Sequence, residues 1–392
     1  MKGYTTLAAA VLAVAGVGAG AAAMAAEQMG VSKNEIVICT IQDLSGPLAG
    51  FGKALRFGMQ MRVDEINDQG GINGRKIKFI AEDSGYDPKK GLLAAQKMVQ
   101  QDKLFAMVGT IGTAVNLATF PTLFDKGVMN LFPLTAAREM YEPLHKLKFS
   151  FAAPYYNQMR IAMKWMVKER GAKKFCVIYQ DDDFGTEVLK GAEDGLKDIN
   201  MTFAEKTSFK RGATDFSAQV AKMKSAGCDT VVLGTIIRET IGAIGEARKT
   251  GWSPQFIGSS AAYTDLIHKL GGKAMDGLYA TFQVGVPYAD DTSKEVRDWS
   301  AKYKTRFNED PGLFSAYGYG AVDLFGQTAK KAGPDLTVDG FVKALDNTQF
   351  PRDIFGSPAY KFTPTQHLGN ARSRVGQIQN GKWVPVADYL DY

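Results

Sequence analysis

With 392 residues, 45% of them hydrophobic, the chain can bury a sizeable core and exceeds one typical domain, so two domains are expected. The net charge of +6 comes from basic residues scattered among acidic ones rather than gathered in blocks, which argues against a nucleic-acid-binding surface. The only histidines, His145, His268 and His367, lie far apart, and Cys39, Cys176 and Cys228 show no CxxC spacing. No metal site or disulfide framework is expected, and the cysteines, in or beside apolar runs, read as buried free thiols.

The chain opens with Met1-Lys2, an apolar run from Leu7 to Ala23, and Ala23-Met24-Ala25. A basic start, an apolar run and a small-residue cleavage pattern are the parts of a secretory signal peptide, here residues 1–25. A membrane anchor is the alternative. The Ala/Gly-dominated run disfavours it, and no later stretch approaches the ~20 apolar residues that a bilayer span needs. No cysteine follows the run, so no lipid anchor is expected and the mature chain is read as free in the periplasm.

Strand-like runs then alternate with helical periodicity. A strand at 36–41 precedes a helix with Leu55, Met59, Val63 and Ile66 on one face; a strand at 77–81, a helix through Leu92, Ala95 and Val99, and a strand at 104–109 follow. Such units build a parallel sheet with helices on both faces. The pattern restarts after 149–154 with a helix ended by Gly171, a strand at 174–180, a helix from about Thr186, a strand at 202–208, a helix through Phe216, Val220 and Met223 ended by Gly227, and a strand at 230–234. Farther on, 278–284 is strand-like, 293–307 and 313–331 are helical, and strands at 375–378 and 383–386 flank Asn380-Gly381, a two-residue hairpin signal. The expected fold class is α/β, with two doubly wound parallel-sheet lobes.

Ligands of doubly wound sheets collect outside the carboxyl ends of the strands, so the loops there are the candidate site. Gly109-Thr110-Ile111-Gly112-Thr113 follows the strand at 104–108 and opens a helix, leaving backbone N–H groups and the Thr113 hydroxyl for an anion, a carboxylate above all. Leu134-Thr135-Ala136-Ala137 ends the next strand. Ser45-Gly46-Pro47 is a third such loop, in which capping of the following helix accounts for Ser45. Phe51, one turn further on, either faces the cleft or packs; the residues alone favour packing. In the second unit, Gln180-Asp181-Asp182-Asp183-Phe184-Gly185 lacks calcium-loop spacing and reads as a solvated, helix-capping acidic loop. Arg238 could pair with a ligand carboxylate, although a surface arginine at a helix start is the commoner case. No catalytic constellation, Walker loop or strand-linked G-x-G-x-x-G follows the signal peptide, and neither catalysis nor a cofactor is expected. Gly318-Tyr319-Gly320, inside helical periodicity, reads as close packing.

Four stretches carry a family resemblance: Asp43-Leu44-Ser45-Gly46-Pro47; Ile66-Asn67 through Gly70-Gly71-Ile72-Asn73-Gly74 to Arg75; Asp87-Pro88; and Tyr179-Gln180-Asp181 with Phe184-Gly185. They resemble the periplasmic leucine/isoleucine/valine-binding proteins, the solute receptors of ABC transporters, over essentially the whole mature chain. The resemblance implies two lobes joined by a three-segment hinge that closes on a small ligand. It puts lobe 1 at 34–152 plus 283–372 and lobe 2 at 153–282 plus 373–392, with crossings near Ala153, Phe282 and Ser373. It also implies membrane permease subunits as partners, a monomer, and no enzyme activity.

The family's pocket matches Gly112 and Thr113 for the ligand carboxylate, Thr135 and Ala136 for the adjoining loop, and Phe51, Phe184 and Tyr319 as aromatics; Ser45, in its strand-end loop, is a secondary candidate contact. The family's amino-acid-binding members carry a glutamate where this chain has Ser260, and that glutamate pairs with the ligand ammonium. An unpaired buried ammonium costs several kcal/mol. The expected ligand is therefore an aromatic or other hydrophobic carboxylic acid, with Tyr263 adding a ring and Tyr155 or Arg238 polar contacts. A leucine-type amino acid is the alternative ligand, and a ligand-sensing module for a separate receptor is the alternative class.

Overall fold

The computed structural model describes residues 28–390, together with Met1 and Gly3; apart from those two residues, the expected signal peptide lies outside the described residues. The first sheet consists of β1 (Glu35–Gln42), β2 (Lys76–Asp83), β3 (Ala106–Val108), β4 (Met129–Leu131) and β5 (Lys148–Phe149), all parallel, in the order β2-β1-β3-β4-β5. Helices α1 (Ala49–Asp68), α2 (Pro88–Lys97) and α3 (Thr113–Phe124) make its crossovers. The strand order reverses between β1 and β3, which opens a crevice at that point.

Helix α4 (Tyr155–Arg170) leads into a second unit: β6 (Phe175–Gln180), α5 (Asp183–Lys197), β7 (Phe203–Phe209), α6 (Ser217–Ser225), β8 (Thr230–Gly234), α7 (Ile237–Lys249), β9 (Gln255–Gly258), α8 (Asp265–Gly271) and β10 (Tyr279–Phe282). The chain then supplies α9 (Lys294–Phe307), α10 (Leu313–Ala332), α11 (Val338–Asp346) and a short ribbon, β11 (Gln349–Phe350) with β12 (Tyr360–Lys361), before β13 (Ser373–Gln379) and β14 (Lys382–Leu390). The last two strands join the second sheet, ordered β14-β13-β10-β9-β8-β6-β7. Its strands β6 to β10 are parallel, and β13 and β14 add an antiparallel hairpin turned by Asn380 and Gly381, both at positive φ.

Two doubly wound lobes therefore stand side by side. The composition of the inner strands explains their depth: Ala-Met-Val in β3 and Thr-Val-Val-Leu-Gly in β8 are buried at every position, as strands covered on both faces must be. Helix α10 packs along α1 although more than 240 residues separate their starts. Glycine permits that approach. A Cβ on Gly58 would lie 2.0 Å from the Ser315 carbonyl oxygen, and one on Gly318 would lie 2.1 Å from that of Leu55. Close packing was the expected role of Gly318.

The cysteines depart from expectation. Cys176 and Cys228 form a disulfide with Cα atoms 5.8 Å apart, and only Cys39 is a free, buried thiol. Their 52-residue separation carries no pairing signal. The crossover supplies one, because β6 and β8 are neighbours with Phe175 opposite Thr230, which brings the start of β6 beside the turn into β8. Cys39 is sealed in the first lobe, and burial holds its thiol well above the usual range.

Thiol titration of the denatured protein should count one thiol before reduction and three after it. Reduction, or Cys228→Ser, should lower stability to urea by about 2–4 kcal/mol, the range expected for closing a loop of this length.

Candidate functional site

The loops at the carboxyl ends of both sheets converge on one cavity. From the first lobe come Leu48 and Phe51 beyond β1, Tyr86 beyond β2, Ile111, Gly112 and Thr113 beyond β3, Leu134, Thr135 and Ala136 beyond β4, and Ala152 beyond β5; Phe314 and Tyr317 of α10 complete that side. The second lobe contributes Tyr155, Phe184, Ile236, Ser260 and Ala261. Counted with its open mouth, the cavity measures about 580 Å³. None of these lining residues carries a charge.

One end is polar. Helix α3 begins at Thr113 with Gly112 at its N-cap in the left-handed region, φ +95°, and no side chain caps it. The first-turn N–H groups of a helix have no partner within the helix, and its dipole favours an anion there. The Thr113 and Thr135 hydroxyls lie 2.6 Å apart beside this end. The turn is held from behind: the Gln42 side-chain amide donates to the Gly109 carbonyl at 2.8 Å, and that of Asn116 donates to the Thr110 and Gly112 carbonyls at 3.0 and 2.8 Å. A Cβ at Gly112 would meet the Tyr86 ring at 2.8 Å, so the glycine and the ring fix one another.

The rest is a box of rings. Phe51 and Phe314 stack at 3.8 Å between centroids, and Tyr155 meets Phe184 edge-on at 5.1 Å. Phe51 thus both packs and lines the cavity. Burial raises the phenol pKa of Tyr86, Tyr155 and Tyr317, which keeps all three neutral hydrogen-bonding groups. At the far wall, the buried Gln158 amide donates to the Ser260 hydroxyl at 2.9 Å and accepts from the Ser260 N–H at 2.8 Å.

Of the residues singled out in the sequence, Phe51, Gly112, Thr113, Thr135, Ala136, Tyr155, Phe184 and Ser260 meet at this cavity; Ser45, Arg238, Tyr263 and Tyr319 do not. Ser45 is exposed, and it is not the cap of α1: Leu48 holds the N-cap position, while the Asp43 carboxylate accepts the N–H groups of Gly46 and Leu48 at 2.5 and 2.6 Å. Arg238 is 45% exposed at the start of α7 and pairs with Glu239. Tyr263 is buried against Phe282 and Trp383. Tyr319 donates its hydroxyl to Glu65 at 2.6 Å under the Arg62 guanidinium. It lies two residues, about 200° of helix rotation, from Tyr317, the ring that does reach the cavity. Asp182 caps α5 through the Gly185 N–H, as the acidic loop implied.

Sequence reading missed Tyr86, Phe314 and Tyr317. Tyr86 had a usable signal, since it follows the strand β2 within the same rule that flagged its neighbours.

Contacts across the cleft hold the two lobes together. The Arg138 guanidinium, beyond β4, donates to both carboxylate oxygens of Glu187 on α5 at 2.6 and 2.9 Å and lies 3.9 Å from the Tyr156 ring. Hydrogen bonding to Glu187 raises the Arg138 pKa still further, so the guanidinium stays charged. Arg211, beyond β7, donates to the Tyr86 carbonyl at 2.8 Å and to Asp182 at 2.6 Å, with its guanidinium 4.4 Å from the Tyr86 ring. Tyr86 sits at φ +60°, a strained conformation for a tyrosine that these contacts hold in place. Asp265 of α8 accepts the Leu313 N–H at the start of α10, 3.1 Å away.

Two α/β lobes with a small cavity between their strand ends define a bilobal solute-binding protein. The chain belongs to the periplasmic binding protein family, whose model, described as "Periplasmic binding protein", matches residues 35–382. It is 26% identical over 340 residues to the leucine-, isoleucine-, valine-, threonine-, and alanine-binding protein of Pseudomonas aeruginosa, which covers 86% of each chain. Among solved structures, the fatty acid ABC transporter substrate-binding protein from Thermomonospora curvata matches with a TM-score of 0.84 at 20% identity, over 93% of this chain and 95% of that one. A branched chain amino acid ABC transporter structure from Thermus thermophilus with bound valine matches with a TM-score of 0.83 at 15% identity, over 92% and 98%. At such identities the structural likeness establishes the fold.

Removing one partner of a buried, hydrogen-bonded charge pair costs about 2 kcal/mol or more, here charged to the closed arrangement, which makes the pair, rather than to folding. Arg138→Ala should therefore leave thermal stability nearly unchanged and raise the radius of gyration of the unliganded protein in solution X-ray scattering. It should also weaken ligand binding by about thirtyfold.

Proposed function

We infer that this protein is the periplasmic solute receptor of an ABC importer, and that it captures a small carboxylate with an aromatic or otherwise hydrophobic body by closing its lobes around it. The observation that carries the ligand class is the charge-free cavity wall with one open helix N-terminus. A carboxylate finds N–H groups and the Thr113 and Thr135 hydroxyls there. An ammonium finds at Ser260 only a hydroxyl already engaged by Gln158. A buried ion without a charged partner costs several kcal/mol, whereas rings stacked on the box of phenylalanines and tyrosines gain. The Cys176–Cys228 disulfide supports an oxidising compartment and hence export by the segment 1–25. Closure turns on the crossings near Ala153, Phe282 and Ser373, between a first lobe of 34–152 plus 283–372 and a second of 153–282 plus 373–392, and the receptor works as a monomer before docking on membrane permease subunits.

The second reading, a leucine-type amino acid, is favoured by what the Pseudomonas aeruginosa relative binds by name. The two differ in a single group. Thermal-shift measurements with benzoate, phenylacetate, 3-phenylpropanoate and 4-methylpentanoate beside leucine separate them, because 4-methylpentanoate is leucine without its ammonium. We expect an acid lacking the amine to stabilise the protein by about 2.7 kcal/mol at 100 times its dissociation constant. Stabilisation by leucine and by none of the acids overturns the carboxylic-acid reading and leaves the receptor class standing.

A further inference from the structure

A second cavity adjoins the first at Tyr317. It holds about 1,030 Å³ with its mouth included, against about 580 Å³ for the ligand cavity. Tyr317 is the one residue, among the described residues, that lines both. Its ring is fixed from two sides, with the centroids of Phe314 on the ligand side and Phe151 on the far side each 5.9 Å away. Beside this partition Phe151, Phe350 and Tyr360 line the far cavity together with the Asp353 carboxylate, which accepts the Phe355 and Ser357 N–H groups at 2.9 and 3.1 Å; Arg352, and Arg62 paired with Asp323 at 2.8 Å, line it as well.

We propose that the second cavity is a latent extension of the ligand site, closed off by the Tyr317 ring, and that Tyr317 thereby sets the length of the acid this protein accepts. The proposal rests on the ligand reading above. With the carboxylate at the start of α3, the body of a single-ring or short branched acid ends against Tyr317. A longer chain has no room until the ring is removed; it then runs past Phe151 and Tyr360 into the far cavity. The ring's volume does the excluding.

The test is the ratio of affinities for phenylacetate and 6-phenylhexanoate, measured by titration calorimetry on the full mature chain for the wild type, Tyr317→Phe and Tyr317→Ala, each first shown to be folded by circular dichroism and thermal unfolding. Tyr317→Val, which leaves a smaller void, takes the place of Tyr317→Ala if that variant does not fold. The wild type and Tyr317→Phe should prefer the short acid by about tenfold or more, and loss of the ring should cut that preference by about tenfold or reverse it. Wild-type binding of the long acid as tightly as the short one overturns the proposal, and so does a folded ring-free variant whose ratio is unchanged. If only amino acids bind, the carboxylic-acid reading fails, and the same ratio for leucine and 2-aminooctanoate decides the role of Tyr317. Failure of both series to bind the wild type overturns both readings.

Discussion

One buried amide joins the stretches of chain that pass between the two sheets. Gln283, 2% exposed, accepts the Ala153 N–H at 2.6 Å through its oxygen and donates through its nitrogen to the Arg372 carbonyl at 2.8 Å. Its own backbone follows β10, so a single side chain ties three segments distant in sequence. Gln158 repeats the device one layer away, donating to the Ala153 carbonyl and accepting from the Thr281 hydroxyl. An amide offers both donors and acceptors without charge, so it can satisfy several backbone groups in the interior at modest cost, and leaving such groups unpaired there would be expensive. Everything about the site depends on this joint. The cavity exists only if the loops of two separately built sheets face each other in one register.

The repeating architecture was readable because its signals are local. Strands buried on both faces show as continuous apolar runs, helix stops show as glycine, and Asn380-Gly381 announces its hairpin. The rule that ligands gather beyond strand ends found the Gly112–Thr113 turn and the Thr135–Ala136 loop without any knowledge of the partner lobe. What stayed hidden depends on contacts between distant residues. Cys176 and Cys228 meet only because β6 and β8 become neighbours, Arg138 and Glu187 lie 49 residues apart on different lobes, and the Arg211–Tyr86 contact spans 125. Helix phase is a subtler loss. A family match placed an aromatic on the late helix, yet a shift of two residues separates Tyr317, which faces the cavity, from Tyr319, which faces Glu65.

The chemistry of the cavity and the geometry of the lobes answer to different forces. Burying charge in a closed, aromatic site is costly, so such a site recognises an ion best where backbone dipoles already point, and Gly112 at positive φ supplies that without any charged side chain. The charges are spent outside the cavity instead. Arg138 with Glu187, and Arg211 with Asp182 and Tyr86, flank it as contacts between the lobes. A cavity neutral inside and flanked by ion pairs leaves the holding of the lobes to residues that do not line it.

That division has a consequence for affinity. A ligand shifts the balance between open and closed forms only by its differential contacts with them, and the contacts that the lobes make with each other add to the closed form whether or not a ligand is present. If those contacts were too strong, the empty protein would stand shut and the ligand could not enter; if too weak, most of the ligand's binding energy would go into closing the lobes. Ion pairs reaching across the cleft can be tuned by a single substitution without altering the cavity wall. On the reading proposed for this site, the strength of binding and the choice of ligand therefore change independently, the first at Arg138, Glu187 and Arg211, the second at the ring box and Ser260.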